Sequence, residues 1–233
     1  MIVLIPPSEG KNRIKKPMEL TFEETDFLYK DNVRQVVRLL SLIDDEDLRS
    51  IYGTKKEKAM LFHRQNQDVM QSRVWPAIER YTGVVYDHID WATISESGRE
   101  YMSKHIRIFS GLFGMVSPTT LIPAYKLKMN VLSVQHHWFP VLTDVLEKED
   151  LIIDLLPQVH RKAYKPNKDI VKAIEFQVVS KGKKAAAGHH GKAVKGEFIR
   201  FMAENNITKL DQFEKFNYEG FAWDGKAFIK EEA

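Results

Sequence analysis

The tightest constraint on how this chain folds lies at Arg107-Ile-Phe-Ser-Gly-Leu-Phe-Gly-Met-Val-Ser-Pro118. Gly111 and Gly114 bracket two large apolar residues, so the chain must turn sharply there and let neighbouring segments approach closely. Upstream, in a run that starts at Ser95, Tyr101, Met102, His105, Ile106 and Phe109 recur at three- and four-residue steps, the helical period. Together these features predict the end of one helix, a glycine hairpin over Ser110–Gly114, and the start of a second helix. The outward N–H groups of such a second helix would seat a nucleic-acid phosphate. A plain helical hairpin inside a core satisfies the same pattern.

Around this stretch the periodicities alternate. Ile2–Ile5 reads as a buried strand. It runs into Pro6-Pro7-Ser8-Glu9-Gly10-Lys11, a loop at a strand end, which is where α/β sheets hold ligands. The spacing is not that of a P-loop. Residues 26–82 carry helical patterns: an apolar face through Val33, Val36 and Leu40, a short second helix ending near Gly53, then Lys55–Met70 and Val74–Tyr81. Gly83–Ile89 reads as a strand, and Leu121–Val134 as a half-exposed one with Lys126 and Lys128 on its open face. A helix is expected from His136 through Leu146, and strands over Asp150–Leu156 and Ala173–Val179. Asp154, an acid inside an apolar run, needs a partner or a role. From Lys192 to Asn205 the pattern is helical, with Lys192, Lys195 and Arg200 largely opposite Val194, Phe198 and Met202. Gly196 inside it implies a close approach. Asp224-Gly225 between aromatics marks a two-residue turn in a hairpin over residues 219–230. Nothing divides the chain, so the expected fold is α/β (mixed α+β), a single compact domain over residues 1–233 with a helix-hairpin-helix and a basic cleft.

Charge is uneven. Between residues 161 and 195 ten Lys and Arg face two acids, so this segment carries +8 within a chain of net +3, and the remainder is −5. Such a band points to an anionic partner, although a solvated lysine-rich face has the same composition. The absence of cysteine excludes disulfides, thiol catalysis and thiolate metal sites and agrees with a cytoplasmic setting. The apolar opening Met1–Pro7 has no basic n-region, and no apolar run nears the ~20 residues of a membrane span. His136 and His137 diverge by about 100° on a helix, so neither a metal site nor any cofactor is expected.

Taken in order, these motifs resemble the YaaA family of peroxide-stress proteins over nearly the whole chain. The likeness rests on Ile5-Pro-Pro-Ser8-Glu-Gly-Lys11, Arg107–Gly114, Ala124–Met129, Trp138, Lys192–Arg200, and Phe216–Gly220 with Asp224. Ser117 stands where the family has arginine; Lys126 replaces an arginine and Lys128 a glutamate. The resemblance implies a cytosolic α/β protein that binds DNA, limits oxidative damage under hydrogen peroxide, and is linked to lower free iron. Read onto this chain, the expected DNA contacts are Arg107, Ser110, Gly111, Gly114, Lys126, Lys128, Lys192, Lys195 and Arg200, made mainly to phosphates. The alternative is an enzyme acting on damaged or flipped bases, with Ser8, Lys11, Tyr125 and Glu219 as catalytic candidates and Glu9 and Asp154 as further polar groups.

Overall fold

A computed structural model describes residues 1–232. In chain order its first half contains β1 (Ile2–Ile5), α1 (Lys30–Ser41), α2 (Leu48–Tyr52), α3 (Lys56–Gln67), β2 (Trp75–Pro76), α4 (Ala77–Arg80), α5 (Val84–Ile89) and α6 (Glu96–His105). Then come β3 (Ile106–Ser110), β4 (Gly114–Val116), β5 (Leu121–Ile122), α7 (Val134–Leu146), β6 (Ile152–Asp154) and α8 (Gln158–Arg161). The last third holds β7 (Val171–Ala173), β8 (Phe176–Ser180), β9 (Lys183–Ala186), α9 (His190–Glu204), β10 (Asn217–Tyr218), β11 (Phe221–Trp223) and β12 (Phe228–Glu232).

The main sheet has the order β4-β3-β1-β6-β7. β3, β1, β6 and β7 run parallel, and β4 folds back antiparallel on β3. All of Ile2–Ile5 is buried, as a central parallel strand covered on both faces requires. A second sheet, β10-β11-β12-β8-β9, holds an aromatic cluster in which Phe176, Phe198 and Phe213 surround Phe228. One continuous apolar core joins both sheets, so the fold is mixed α/β and compact.

The stretch Arg107–Pro118 corrects the reading above: it is a β-hairpin, not two helices around a turn. α6 ends at His105, and Ile106–Ser110 pairs in parallel with β1 and antiparallel with β4. Ile106, Ile108, Phe109 and Ser110 are all buried, and a run buried on both sides shows no period that separates helix from strand. The glycines serve close packing. A Cβ on Gly111 would lie 2.7 Å from the Leu127 carbonyl oxygen; one on Gly114, at φ +68°, would lie 2.5 Å from the Trp138 ring. Trp138 closes the turn by donating its indole N–H to the Gly111 carbonyl (3.0 Å).

Gly83–Ile89 is likewise helix α5, bounded by Gly83 at φ +101° and Asp90 at φ +47°. Its β-branched valines suggested a strand, but Val85, Tyr86 and Ile89 form one helical face. α9 lies against it, where a Cβ on Gly196 would be 2.4 Å from the Val85 oxygen, the close approach the sequence implied. Val74–Tyr81 is a two-residue strand and one helical turn. In Leu121–Val134 only Leu121–Ile122 is in a ladder, against Trp75–Pro76; Leu127 and Lys128 pass against the β3–β4 turn, and Val134 opens α7. The terminal hairpin forms, but its loop spans residues 224–227, because the Asp224 carboxylate accepts from the N–H of both Lys226 and Ala227 (2.8 and 2.7 Å).

Candidate functional site at the carboxyl edge of the main sheet

The chain leaves β1 to build β3 on one side, then crosses to place β6 on the other. That reversal opens a crevice beyond the carboxyl ends of the strands, the place where open α/β sheets take ligands. Three segments reach it: the Ser8–Lys11 loop after β1, Ser110 at the end of β3, and Asp154–His160 after β6.

The β1 loop is held rigidly. The Ser8 hydroxyl donates to the Gly10 carbonyl (2.6 Å) and accepts from the Thr82 N–H (3.0 Å). Lys11 bridges to Tyr81, and its Nζ donates to the Ser8 carbonyl (2.7 Å). The same Nζ sits 4.8 Å from the Tyr81 ring centre and 4.4 Å from that of Tyr125. Burial, reinforced by Lys126 and Arg80 and opposed by Glu9, brings the Lys11 amine down to about 7. The two ring faces favour the ammonium and work against that shift.

Beneath Lys11 lies a buried hydroxyl chain. Tyr81 and Tyr125 share a hydrogen bond of 2.8 Å, Ser110 Oγ donates to Tyr125 (2.8 Å), and the Phe113 N–H donates to Ser110 Oγ (3.0 Å). Burial pushes Tyr125 up to about 12 and Tyr81 well above its ordinary value, so both stay protonated. Glu9 accepts from Lys126 (2.6 Å) and pairs with Lys128 (3.2 Å); the Lys126 hydrogen bond is the main cause that holds its carboxyl below the usual range.

Two grooves meet at this loop. The larger, about 990 Å³, runs from Lys11 along α3 and is lined by Lys11, Arg13, Lys58, Arg64, Arg80 and Lys126, with Glu9 and Asp68 as its acids and Leu61 and Phe62 among its apolar walls. Arg80 is buried and committed to the carbonyls of Ile122 and Arg73, whereas Arg13, Lys58 and Arg64 are exposed. The smaller groove, about 340 Å³, shares Lys11, Tyr125 and Lys126 with the first and adds Lys128 and His160. At the far end of the larger groove, α2 passes into α3 through Gly53, in the left-handed region at φ +60°. α3 begins with no side chain capping its first N–H groups, and Lys55, Lys56 and Lys58 stand exposed there. Leu48, Ile51, Tyr52 and Ala59 give the pair its own small core. The helical patterns over residues 26–82 assign this segment no functional role. The signal was the spacing of Leu48, Ile51, Gly53 and Ala59: two apolar residues one turn apart, a turn glycine, and a small residue for close packing.

After β6, Asp154 has the partners its burial demands. It accepts from the Leu156 N–H and the Tyr164 hydroxyl (2.7 Å each) and lies 2.8 Å from Arg161 Nε, in an ion pair whose N–H is not aligned for a hydrogen bond. Lys195 donates to the Leu155 carbonyl, and burial lowers its amine to about 8. Burial, then Lys195, lowers His160 to about 4, and its Nδ1 is buried without a partner.

The expected site residues therefore divide. Ser8, Lys11, Tyr125, Lys126 and Lys128 converge, with Ser110 as a buried floor. Gly111 and Gly114 make packing contacts. Glu219 is elsewhere, 2.7 Å from His190. Arg107 donates to the Ser103 and Ile106 carbonyls and borders a different groove; Arg200 donates to the Ile89 and Asp90 carbonyls at the end of α5. Lys192 is exposed on α9. Among the described residues, no three His, Asp or Glu side chains cluster as metal ligands, and no helix is long and apolar enough to cross a membrane.

Fold and site thus define a mixed α/β protein organised around a lysine loop at the carboxyl edge of a mostly parallel sheet. The chain belongs to the peroxide stress protein YaaA family, whose sequence model matches residues 1–227. It is 28% identical over 215 residues to a UPF0246 protein of Streptomyces coelicolor, covering 87% of this chain and 82% of that one. It is 26% identical over 206 residues to a UPF0246 protein of Agathobacter rectalis, covering 83% of each. A Lactobacillus helveticus UPF0246 protein matches at 26% over 209 residues, 83% of this chain and 82% of its own. Membership ties the chain to the oxidative stress response.

Proposed function

We propose that this protein binds DNA through its phosphate backbone, in a basic cleft formed by the larger groove, as its part in the response to peroxide. One observation carries the reading: six basic side chains from four separate parts of the chain line one groove against two acids. Exposed Arg13, Lys58 and Arg64 supply charge for phosphates, while Lys126 and Arg80, already engaged, shape the wall. At the end of the groove α2, the Gly53 turn and α3 act as a helix-hairpin-helix, with the uncapped N–H groups of α3 and its surrounding lysines seating a phosphate. This moves the phosphate seat from Ser110–Gly114 to Gly53–Lys58.

Gel retardation of a duplex of arbitrary sequence at low salt tests the reading. Wild-type protein is expected to retard it, and Lys58→Glu with Arg64→Glu to lose most of that binding. No retardation by the wild type at low salt would end the proposal. The iron link implied by the resemblance is a separate matter, decided by equilibrium dialysis with Fe(II): stoichiometric binding at micromolar concentration would give the protein a direct role in iron handling.

A further inference from the structure

A lysine that grips phosphate does so as a hydrated, charged ammonium. Lys11 is placed otherwise. Its Nζ lies between two tyrosine rings, is tied to the Ser8 carbonyl, and has no carboxylate of its own, because Glu9 is occupied by Lys126 and Lys128. It nevertheless lines both grooves, so a ligand in either one meets it. With its amine brought down to about 7, a large share is uncharged at neutral pH and carries a free lone pair. The loop that carries it is tied down by the Ser8 hydroxyl, which donates to the Gly10 carbonyl and accepts from the Thr82 N–H. An uncharged amine, held still at the junction of two grooves and flanked by cations, suits attack on a carbonyl borne by an anionic molecule.

We propose that Lys11 Nζ is a nucleophile that forms an imine with an aldehyde carried on a phosphate ester, its carrier being the ring-opened deoxyribose of an abasic site in DNA. The choice of DNA as carrier rests on the DNA-binding reading of the groove. The nitrogen lone pair forms the C–N bond, and the carbonyl π pair moves to oxygen, which takes a proton from nitrogen. The resulting carbinolamine loses its hydroxyl together with the second amine proton as water, leaving C=N. Amine and aldehyde become imine and water, with no oxidant or reductant. On protonation the imine becomes a cation, which the Tyr81 and Tyr125 faces beside it favour.

The test is reductive trapping. Wild-type protein is incubated with cyanoborohydride and either a duplex bearing one abasic site, the same duplex intact, or glyceraldehyde 3-phosphate, and the adduct is mapped by peptide mass spectrometry. The expected result is an adduct on Lys11 with the abasic duplex, none with the intact one, and loss of that adduct in Lys11→Arg. Measured against free lysine trapped in the same reaction, the lead of Lys11 should be large near pH 7 and shrink toward pH 10, where an ordinary lysine also loses its proton. Mapping on the wild type keeps the test decisive even if the variant folds poorly. Adducts scattered over other lysines, or no adduct while the abasic duplex is still retarded, would overturn the proposal and leave DNA binding intact. Trapping of glyceraldehyde 3-phosphate alone at Lys11 would uphold the imine and overturn DNA as its carrier.

Discussion

Two regions of this molecule are rich in cations, and they are built in opposite ways. Residues 161–195 concentrate ten Lys and Arg along the sequence, yet Lys162, Lys165, Lys168, Lys172, Lys181, Lys183, Lys184 and Lys192 are exposed and line neither groove at the Lys11 loop. Lys11, Arg13, Lys58, Arg64, Arg80 and Lys126 are scattered along the sequence and meet in one groove. Density along the chain is therefore a poor guide to density in space. Two residues of the first region escape its pattern: Arg161 and Lys195 turn inward, to Asp154 and the Leu155 carbonyl.

The largest effect is expected at that exception. Asp154→Ala leaves Arg161 and Tyr164 without their shared acceptor and should cost about 3–5 kcal/mol in urea unfolding, as removal of one partner of a buried pair does. A loss under about 1 kcal/mol would mean that Arg161 behaves like its exposed neighbours. Next, reversing Lys58 and Arg64 to glutamate should weaken duplex binding by about 100-fold, while reversing Lys172, Lys183 and Lys184 should change it by less than about fivefold. Equal losses would erase the contrast between groove and band.

Glycines sharpen the same contrast. Gly111→Ala pushes a methyl into the backbone of Leu127 and Lys128, which positions Lys126, and should cost about 1–3 kcal/mol in thermal unfolding. Gly182→Ala in the band meets no atom within 4 Å and carries only the strain of φ +73°, about 1 kcal/mol. An effect of similar size is pH-dependent. Lys11 falls from 10.5 in the unfolded chain to about 7 in the fold, so the unfolded state binds more protons between these values and stability rises with pH across that window. Lys11→Met removes the penalty. It should gain about 1–2 kcal/mol over wild type at pH 6, fading toward pH 10, as replacement of a buried charge by an apolar group does. A gain that is constant with pH would show that Lys11 is not desolvated.

Much of the fold was legible in the residues. β1, α7, α9 and the terminal hairpin follow from their periods, and the β1 loop was marked as a ligand position by following a buried strand. The errors share a cause. Ile106–Ser110 and Gly83–Ile89 are short apolar segments, where helix and strand present the same hydrophobic run and only tertiary pairing decides. The convergence of Lys11, Tyr81 and Tyr125 was only partly visible: Lys11 and Tyr125 stood out as polar groups in motifs, but Tyr81 reaches them through a bridge formed in space. The α2–α3 turn carries no local motif of its own, because its lysines meet Lys11, Arg80 and Lys126 only in space.

The most direct test is the salt dependence of duplex binding. Log affinity for wild-type protein should fall steeply and linearly with log salt; removing Lys58 and Arg64 as alanines should reduce the slope by about 2, and removing Lys172 and Lys183 should leave it unchanged. A flat response in the wild type, or the same slope change from the band as from the groove, would contradict the account.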